Sequence, residues 1–489
     1  MSALGRRSKF PVYRGTMMLV LAAVWWTGTT AIAEKPWAPW PLKTPSELKA
    51  LHGPTFVGAQ ILTYHHSIEP PQPDTASETV IGIGRDFIFR EEGKTRFVVD
   101  FRLGRIYQET DKRYVSQPIA ANIAFFDYEL ANRTVMAKAL AKANIPSTDT
   151  SDPFWAAVEL KVTTPGDPPP AMETRNDNGE TVFSYKGEEV LRWRPMSEPL
   201  PDISAVHLHH ALLWLWPVHP MLAATLSAEG KAPRHLMVRT HVAFKSQSHD
   251  YELVGSRWCE TCEALSTDAQ PVPLRVGPDN GSNADLTPIM ISASQGKFKP
   301  LSSADYLQRI DAALDRGATL EAYLWFIERL LQDGAQRCEA GDASERCRIQ
   351  NRLFERAQTD PDVQTLRTNI VLRSIEAAKA IAALRDKVGA NAYYIDLASM
   401  NALPANTFGF QAIPKLVQQQ MKSALAAMPV VPAVYRDIGM IYYYAIDPWS
   451  AWFVWEMGQA NPGRSAESDM WGFVRKLEQQ VRQRRPEFF

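Results

Sequence analysis

The chain has 489 residues, 45% hydrophobic and 22% charged, a balance that excludes an intrinsically disordered protein. Its 53 basic and 54 acidic side chains leave a net charge of −1 at pH 7, which supplies no general field for nucleic acid. A mean hydropathy of −0.25 excludes a multi-span membrane protein, and at roughly 100–200 residues per domain the length suggests several domains.

The first 33 residues have the parts of a secretory signal peptide. Arg6, Arg7, Lys9 and Arg14 precede an apolar run over 17–32, which ends in the small-x-small exit Ala31-Ile32-Ala33. The alternative is an uncleaved anchor with Trp25-Trp26 at a membrane interface. Cleavage would remove four cations and no acid, leaving 456 residues with a net charge of −5. No later run is suited to span a bilayer; the best, 211–226, is broken by Pro217, His219 and Pro220. The expected location is periplasmic or secreted.

Residues 34–55 form a Pro/Trp-rich lead-in with one or two helical turns. From 56 to 267 the pattern is a mixed, β-rich domain. Strands are predicted over 57–65, 79–90, 95–101, 105–108 and 112–115; period two with tight turns points to an antiparallel sheet. Within them the segment DFRLGRIYQETDKRYV, beginning at Asp100, resembles the strand pairs of exported proteins with open, lipoprotein-carrier-like half-barrels. A helix is predicted over 121–143, a hairpin over 181–193 around Lys186-Gly187, a helix over 203–216 and strands within 235–257. Gly82-Ile83-Gly84 lacks the third glycine of a dinucleotide fingerprint and reads as a bulge or bend. Asn176-Asp177-Asn178-Gly179 reads as a hairpin turn rather than a calcium loop, because flanking ligands are missing. The Pro/Gly/Asn-rich stretch 268–301 is the predicted linker. Residues 302–489 are predicted all-helical, with Ser303 as an N-cap and a long helical stretch over 362–388. The fold class is therefore α+β.

The helical part repeats. YRDIGMIYYYAIDPWSAWFVWEMGQANP, from Tyr435, resembles a tetratricopeptide repeat. Tyr435, Ile438-Gly439 and Tyr442 hold the helix A places, Ala451, Trp455 and Gly458 the helix B places, and Pro462 closes the unit. Ile446 replaces the glycine that the family prefers beside Asp447. Ala424 and Pro429 close a preceding unit whose first helix carries Tyr394, Leu397 and Ala398, with a longer turn in LPANTFGFQAIP. Gly317, Ala322 and Phe326 mark a third unit, and 463–489 supplies a capping helix with Trp471, Val474 and Leu477. Gly439 and Ala451 would let paired helices approach while Tyr442 and Trp455 fill the wedge. A non-repetitive helical bundle is the alternative. The resemblance implies a groove for a peptide or protein partner, with Tyr394, Tyr435, Tyr442, Tyr443 and Trp452 as groove or packing residues. The leading expectation is an envelope protein that binds or scaffolds such a partner, with no cofactor.

Four cysteines in an exported chain favour disulfides. Cys338 and Cys347 flank a short acidic loop between helices. Cys259 and Cys262 follow Trp258 and resemble a thioredoxin-like Trp-Cys-x-x-Cys, but a redox pair opens a helix, and the sequence after Glu263 cannot continue one. A structural bridge is the simpler reading. All ten histidines lie between His52 and His249. His207 and His210 have i, i+3 spacing, and with His219 beyond Pro217 they are candidate metal ligands; His209 would point away. The rival function is therefore a metal-dependent hydrolase built on His207, His210 and His219, although HExxH and a neighbouring general base are missing. Nucleophile-elbow and P-loop motifs are absent as well.

Overall fold

The computed structural model describes residues 39–52, 57–70, 78–143, 152–164, 170–242, 245–277, 285–333, 338–339, 341–404, 407, 413–461 and 471–489. The signal-peptide reading, Pro462 and most of the long turn before Ile413 lie outside them. The chain is α+β, with a sheet-bearing N-terminal part and an all-helical C-terminal part. Two compact units are present: one holds 38–274 together with 446–456 and 472–489, the other 275–445 with 457–471. Among the described residues no helix is long and apolar enough to cross a membrane.

The sheet unit contains β1 (Val57–Glu69), β2 (Glu78–Gly84), β3 (Phe87–Glu92), β4 (Thr95–Asp100), β5 (Arg105–Thr110) and β6 (Arg113–Pro118) as a meander. The sheet continues beyond β1 through β11 (Lys245–Glu263), β10 (Pro233–Val242), β9 (Glu188–Pro195), β8 (Glu180–Tyr185) and β7 (Met172–Asp177). Pairing is antiparallel except for the short β12 (Gln270–Pro271), which runs parallel to β6. Thus the stretch read as a linker contributes an edge strand, and later α7 (Thr287–Ser294). Asp111-Lys112, Asn178-Gly179 and Lys186-Gly187 all have positive φ, as two-residue type I′ hairpins require. Asn176 Oδ1 accepts from Gly179 N at 3.2 Å, so that motif is a hairpin turn.

The apolar run 79–90 divides into β2 and β3 at Arg85-Asp86. Gly82 is not at a bulge: its pairs to Ile61 and Phe89 fall in an unbroken register. A Cβ at Gly82 would overlap the Phe89 ring, so close approach of the aromatic is what demands glycine there. One sheet face buries Ala59, Ile61, Phe87, Phe89, Val98 and Tyr107 against Leu48, Ala264 and Leu265. Leu48 comes from α1 (Pro45–His52). The opposite face meets helices: α2 (Ile119–Lys142), α3 (Pro153–Leu160), α4 (Asp202–Ala205), α5 (Leu208–Trp214) and α6 (Pro220–Ser227). The predicted 203–216 helix is therefore two short helices. Residues 446–456 and 472–489 complete this unit. The buried Arg105 guanidinium donates to both carboxylate oxygens of Glu456, at 2.6 and 3.1 Å, and Arg485 pairs with Asp127 at 2.8 Å.

The helical unit opens with α8 (Ser303–Asp315), whose N-cap is Ser302, one residue earlier than expected, in a capping box with Asp305. It continues through α9 (Thr319–Asp333), α10 (Glu345–Thr359), α11 (Pro361–Asn369), α12 (Ile375–Ala382), α13 (Ala392–Asn401), α14 (Lys415–Ala427) and α15 (Pro432–Tyr444). The stretch read as one long helix over 362–388 is broken, because the Ser374 hydroxyl accepts from Ala377 N and starts α12 afresh. The chain then forms α16 (Pro448–Gln459) and α17 (Gly472–Arg484). Gly458 lies against Tyr435, where an added Cβ would stand 2.5 Å from the tyrosine Cβ.

Candidate ligand cleft

Pairing of β1 through β5 sets Leu62, Ile81, Arg90, Phe97 and Gln108 side by side on the helix-covered face. Two residues along each strand, Glu92, Thr95 and Thr110 form the next row. The helices leave part of this face open as a cleft of about 570 Å³, lined by these strand residues from Arg90 onward, by Asn122 and Phe126 of α2, by Lys161 after α3, and by Trp214 and Leu215 at the end of α5; Arg96 and Glu109 border it. Trp214 stands 6.4 Å from Phe97 and 6.3 Å from Phe126, ring centre to ring centre, with Phe488 behind it at 5.4 Å.

The charges of the cleft are fixed by named partners. Arg90 donates to the Leu215 carbonyl at 2.9 Å and pairs with Glu92. Glu92 also accepts from Thr79 Oγ1 at 2.6 Å and lies 3.2 Å from His66 Nδ1. Burial alone would raise the Glu92 pKa, but His66, Arg90 and Thr79 outweigh it and hold the carboxylate at about 2. His66 stacks on Tyr251 at 4.2 Å. Arg96 pairs with Glu91, and Glu109 accepts from Ser266 N at 3.2 Å. Lys161 is different. It follows α3 in the left-handed region, φ 61°, and burial, reinforced by the charge of Arg90, lowers its ammonium to about 8. Among the described residues it has no carboxylate partner.

The candidate residues legible in the sequence lie elsewhere. His207 and His210 do meet, Nδ1 to Nδ1 at 3.2 Å, while His207 Nε2 donates to the Arg85 carbonyl at 2.6 Å. His219 is not with them in one donor set: its Nδ1 accepts from Met221 N at 3.2 Å as the cap of α6, and its ring stacks on Phe154 at 4.7 Å. Burial holds His210 at about 3, helped by His207, and His219 at about 4, so both are neutral packing groups at pH 7. Among the described residues only Cys338, Asp342 and Cys347 come within mutual reach of one ion, and those two sulfurs are joined in a disulfide. Cys259 and Cys262 are likewise bonded, and they lie on β11 rather than at a helix start.

Of the tetratricopeptide-type aromatics, Tyr394, Tyr435, Tyr442 and Trp452 are buried, whereas Tyr443 is partly exposed. Tyr435 donates to the Pro429 carbonyl at 2.7 Å and Trp452 Nε1 to Glu478 at 3.0 Å. Tyr394 borders a void of only about 10 Å³ beside Leu397, Val434 and Asp437. These four pack; none of them lines an open groove. The cleft residues Arg90, Phe97, Lys161 and Trp214 carried no motif, though Asp152-Pro153 did announce α3: the Asp152 carboxylate accepts from Phe154 N.

A twelve-stranded sheet thus carries a helix-flanked cleft on one face. In comparisons with known proteins, no family model, no curated protein and no solved structure matched the chain.

Proposed function

We propose that this is an exported binding protein that holds a small, partly apolar ligand in the cleft of its sheet unit. The cleft itself carries the reading: about 570 Å³ falls inside the roughly 300–1,000 Å³ of small-molecule sites. Phe97, Phe126, Trp214 and Leu215 offer apolar surface, and a few polar groups are placed to orient a ligand. Glu92 is held ionised near 2 by its neighbours, far from the value that suits a general acid or base at neutral pH, so it acts as a fixed charge in the cleft. Export is supported by the basic-apolar-Ala-Ile-Ala start and by two disulfides. Gln108 is exposed and lines the cleft, so Gln108→Trp fills the space without replacing a buried side chain. N-phenyl-1-naphthylamine fluorescence should rise on the wild-type protein, and its affinity should fall about tenfold or more in Gln108→Trp at unchanged melting temperature. Equal binding by both proteins, or by neither, contradicts the reading.

A second reading, partner binding by the tetratricopeptide-like helices, is favoured by one observation. Val371 and Leu372, between α11 and α12, and Ile375, the first residue of α12, are exposed at 58%, 47% and 49%, where monomers avoid clustering large apolar side chains. A photo-crosslinker at Leu372 in intact cells should give one discrete adduct that Val371→Asp abolishes; a pattern like that of a crosslinker at Glu355 argues against it.

A further inference from the structure

The chemistry of the cleft narrows the ligand further, and the argument rests on the cleft being the binding site. Of its three cations, two are paired with carboxylates and one is not. Arg90 and Glu92 neutralise each other, Glu92 with Thr79 as a further donor. Arg96 is taken by Glu91, and Glu109 accepts from the Ser266 amide. That leaves the Lys161 ammonium, partly buried in the wall, close enough to Arg90 to be repelled by it and without a carboxylate among the described residues. An uncompensated ammonium in a partly dehydrated wall is costly. A neutral ligand would leave that cost in place, a cation would add to it, and a dianion would bring a second charge with nothing to meet it.

The remaining wall fixes the rest of the molecule. Phe97, Phe126 and Trp214 gather within 6.4 Å, ring centre to ring centre, through Trp214, and Leu215 closes that side through the backbone carbonyl that holds Arg90. Apolar surface together with one cation that no carboxylate pairs is complementary to an amphiphile with one acid group.

We propose that the cleft binds an amphiphilic carboxylate, with its acid group on the Lys161 ammonium and its apolar body against Phe97, Phe126 and Trp214. Selectivity between acids and their neutral analogues resides in one side chain.

Titration calorimetry on the full chain, with decanoate and decanol below their aggregation concentrations, tests this. Wild-type protein should bind decanoate about tenfold or more tightly than decanol. Lys161→Met should lower decanoate to the decanol level while leaving decanol unchanged, and Lys161→Arg should restore the preference, with melting curves showing all variants folded. Equal affinities of the wild type for the two ligands, or the same loss for both in Lys161→Met, overturns the assignment. If N-phenyl-1-naphthylamine binds in the cleft but decanoate shows no advantage, the acid preference alone is lost; if none of the three binds, the cleft reading falls and takes the preference with it.

Discussion

His235 on β10 sits between two carboxylates, Nδ1 2.7 Å from Glu180 and Nε2 2.7 Å from Asp250. Asp250 first, then Glu180, raises its pKa above the usual 6.5 against the opposing effect of burial. A raised histidine stabilises the fold fully below the unfolded value and loses that contribution as pH climbs through the folded one. Unfolding free energy should therefore decline from about pH 6.5 upward, and His235→Gln should flatten that decline by about 1 kcal/mol in denaturant titrations; parallel pH profiles would contradict it. The Arg105–Glu456 pair is buried, with side chains 4% and 10% exposed. Removing one partner strands the other, so Glu456→Ala should cost about 3–5 kcal/mol. Arg105→Met with Glu456→Leu should recover much of that loss in thermal melts, because two uncharged groups leave no stranded ion.

At the scale of elements, the β2–β3 pair depends on Gly82 lying beneath Phe89. Gly82→Val should destabilise by about 1–3 kcal/mol through overpacking, and Phe89→Ala introduced with it should cost less than the two changes summed. Strict additivity would show that the ring has room to move. In the helical unit Ser302→Ala removes the capping box of α8 and should cost about 1 kcal/mol. Elements of this kind were legible in the sequence where the signal is local. The meander over 57–115 showed period two, and Lys186-Gly187 and Asn178-Gly179 marked their own turns. Where competing local chemistry intervened, legibility failed: Ser374 restarts a helix inside a continuous apolar pattern. The polar β7 was likewise hidden, because an exposed edge strand shows no apolar alternation.

At the scale of the whole molecule, residues 446–456 and 472–489 belong with a sheet that begins some four hundred residues earlier, and no spacing rule can announce a bond such as Arg105 to Glu456. The cleft was illegible for the same reason. Arg90, Phe97 and Gln108 come from three strands, Phe126 and Trp214 from two helices and Lys161 from the residue after a third, and only the tertiary fold brings them together, whereas the histidines of 207–219 are dense because they are neighbours in the chain. Deleting 472–489 removes Phe488 from behind Trp214 and Arg485 from Asp127. It should destabilise the sheet unit by about 3 kcal/mol or more and abolish cleft binding, whereas an unchanged melting temperature would show that these residues are dispensable. The central claim, a cleft for an amphiphilic acid, is tested most directly by a crystal structure of the full chain with 10-bromodecanoate. The account predicts anomalous bromine density among Phe97, Phe126 and Trp214, with the carboxylate on Lys161; bromine bound elsewhere with the cleft filled only by solvent would contradict it.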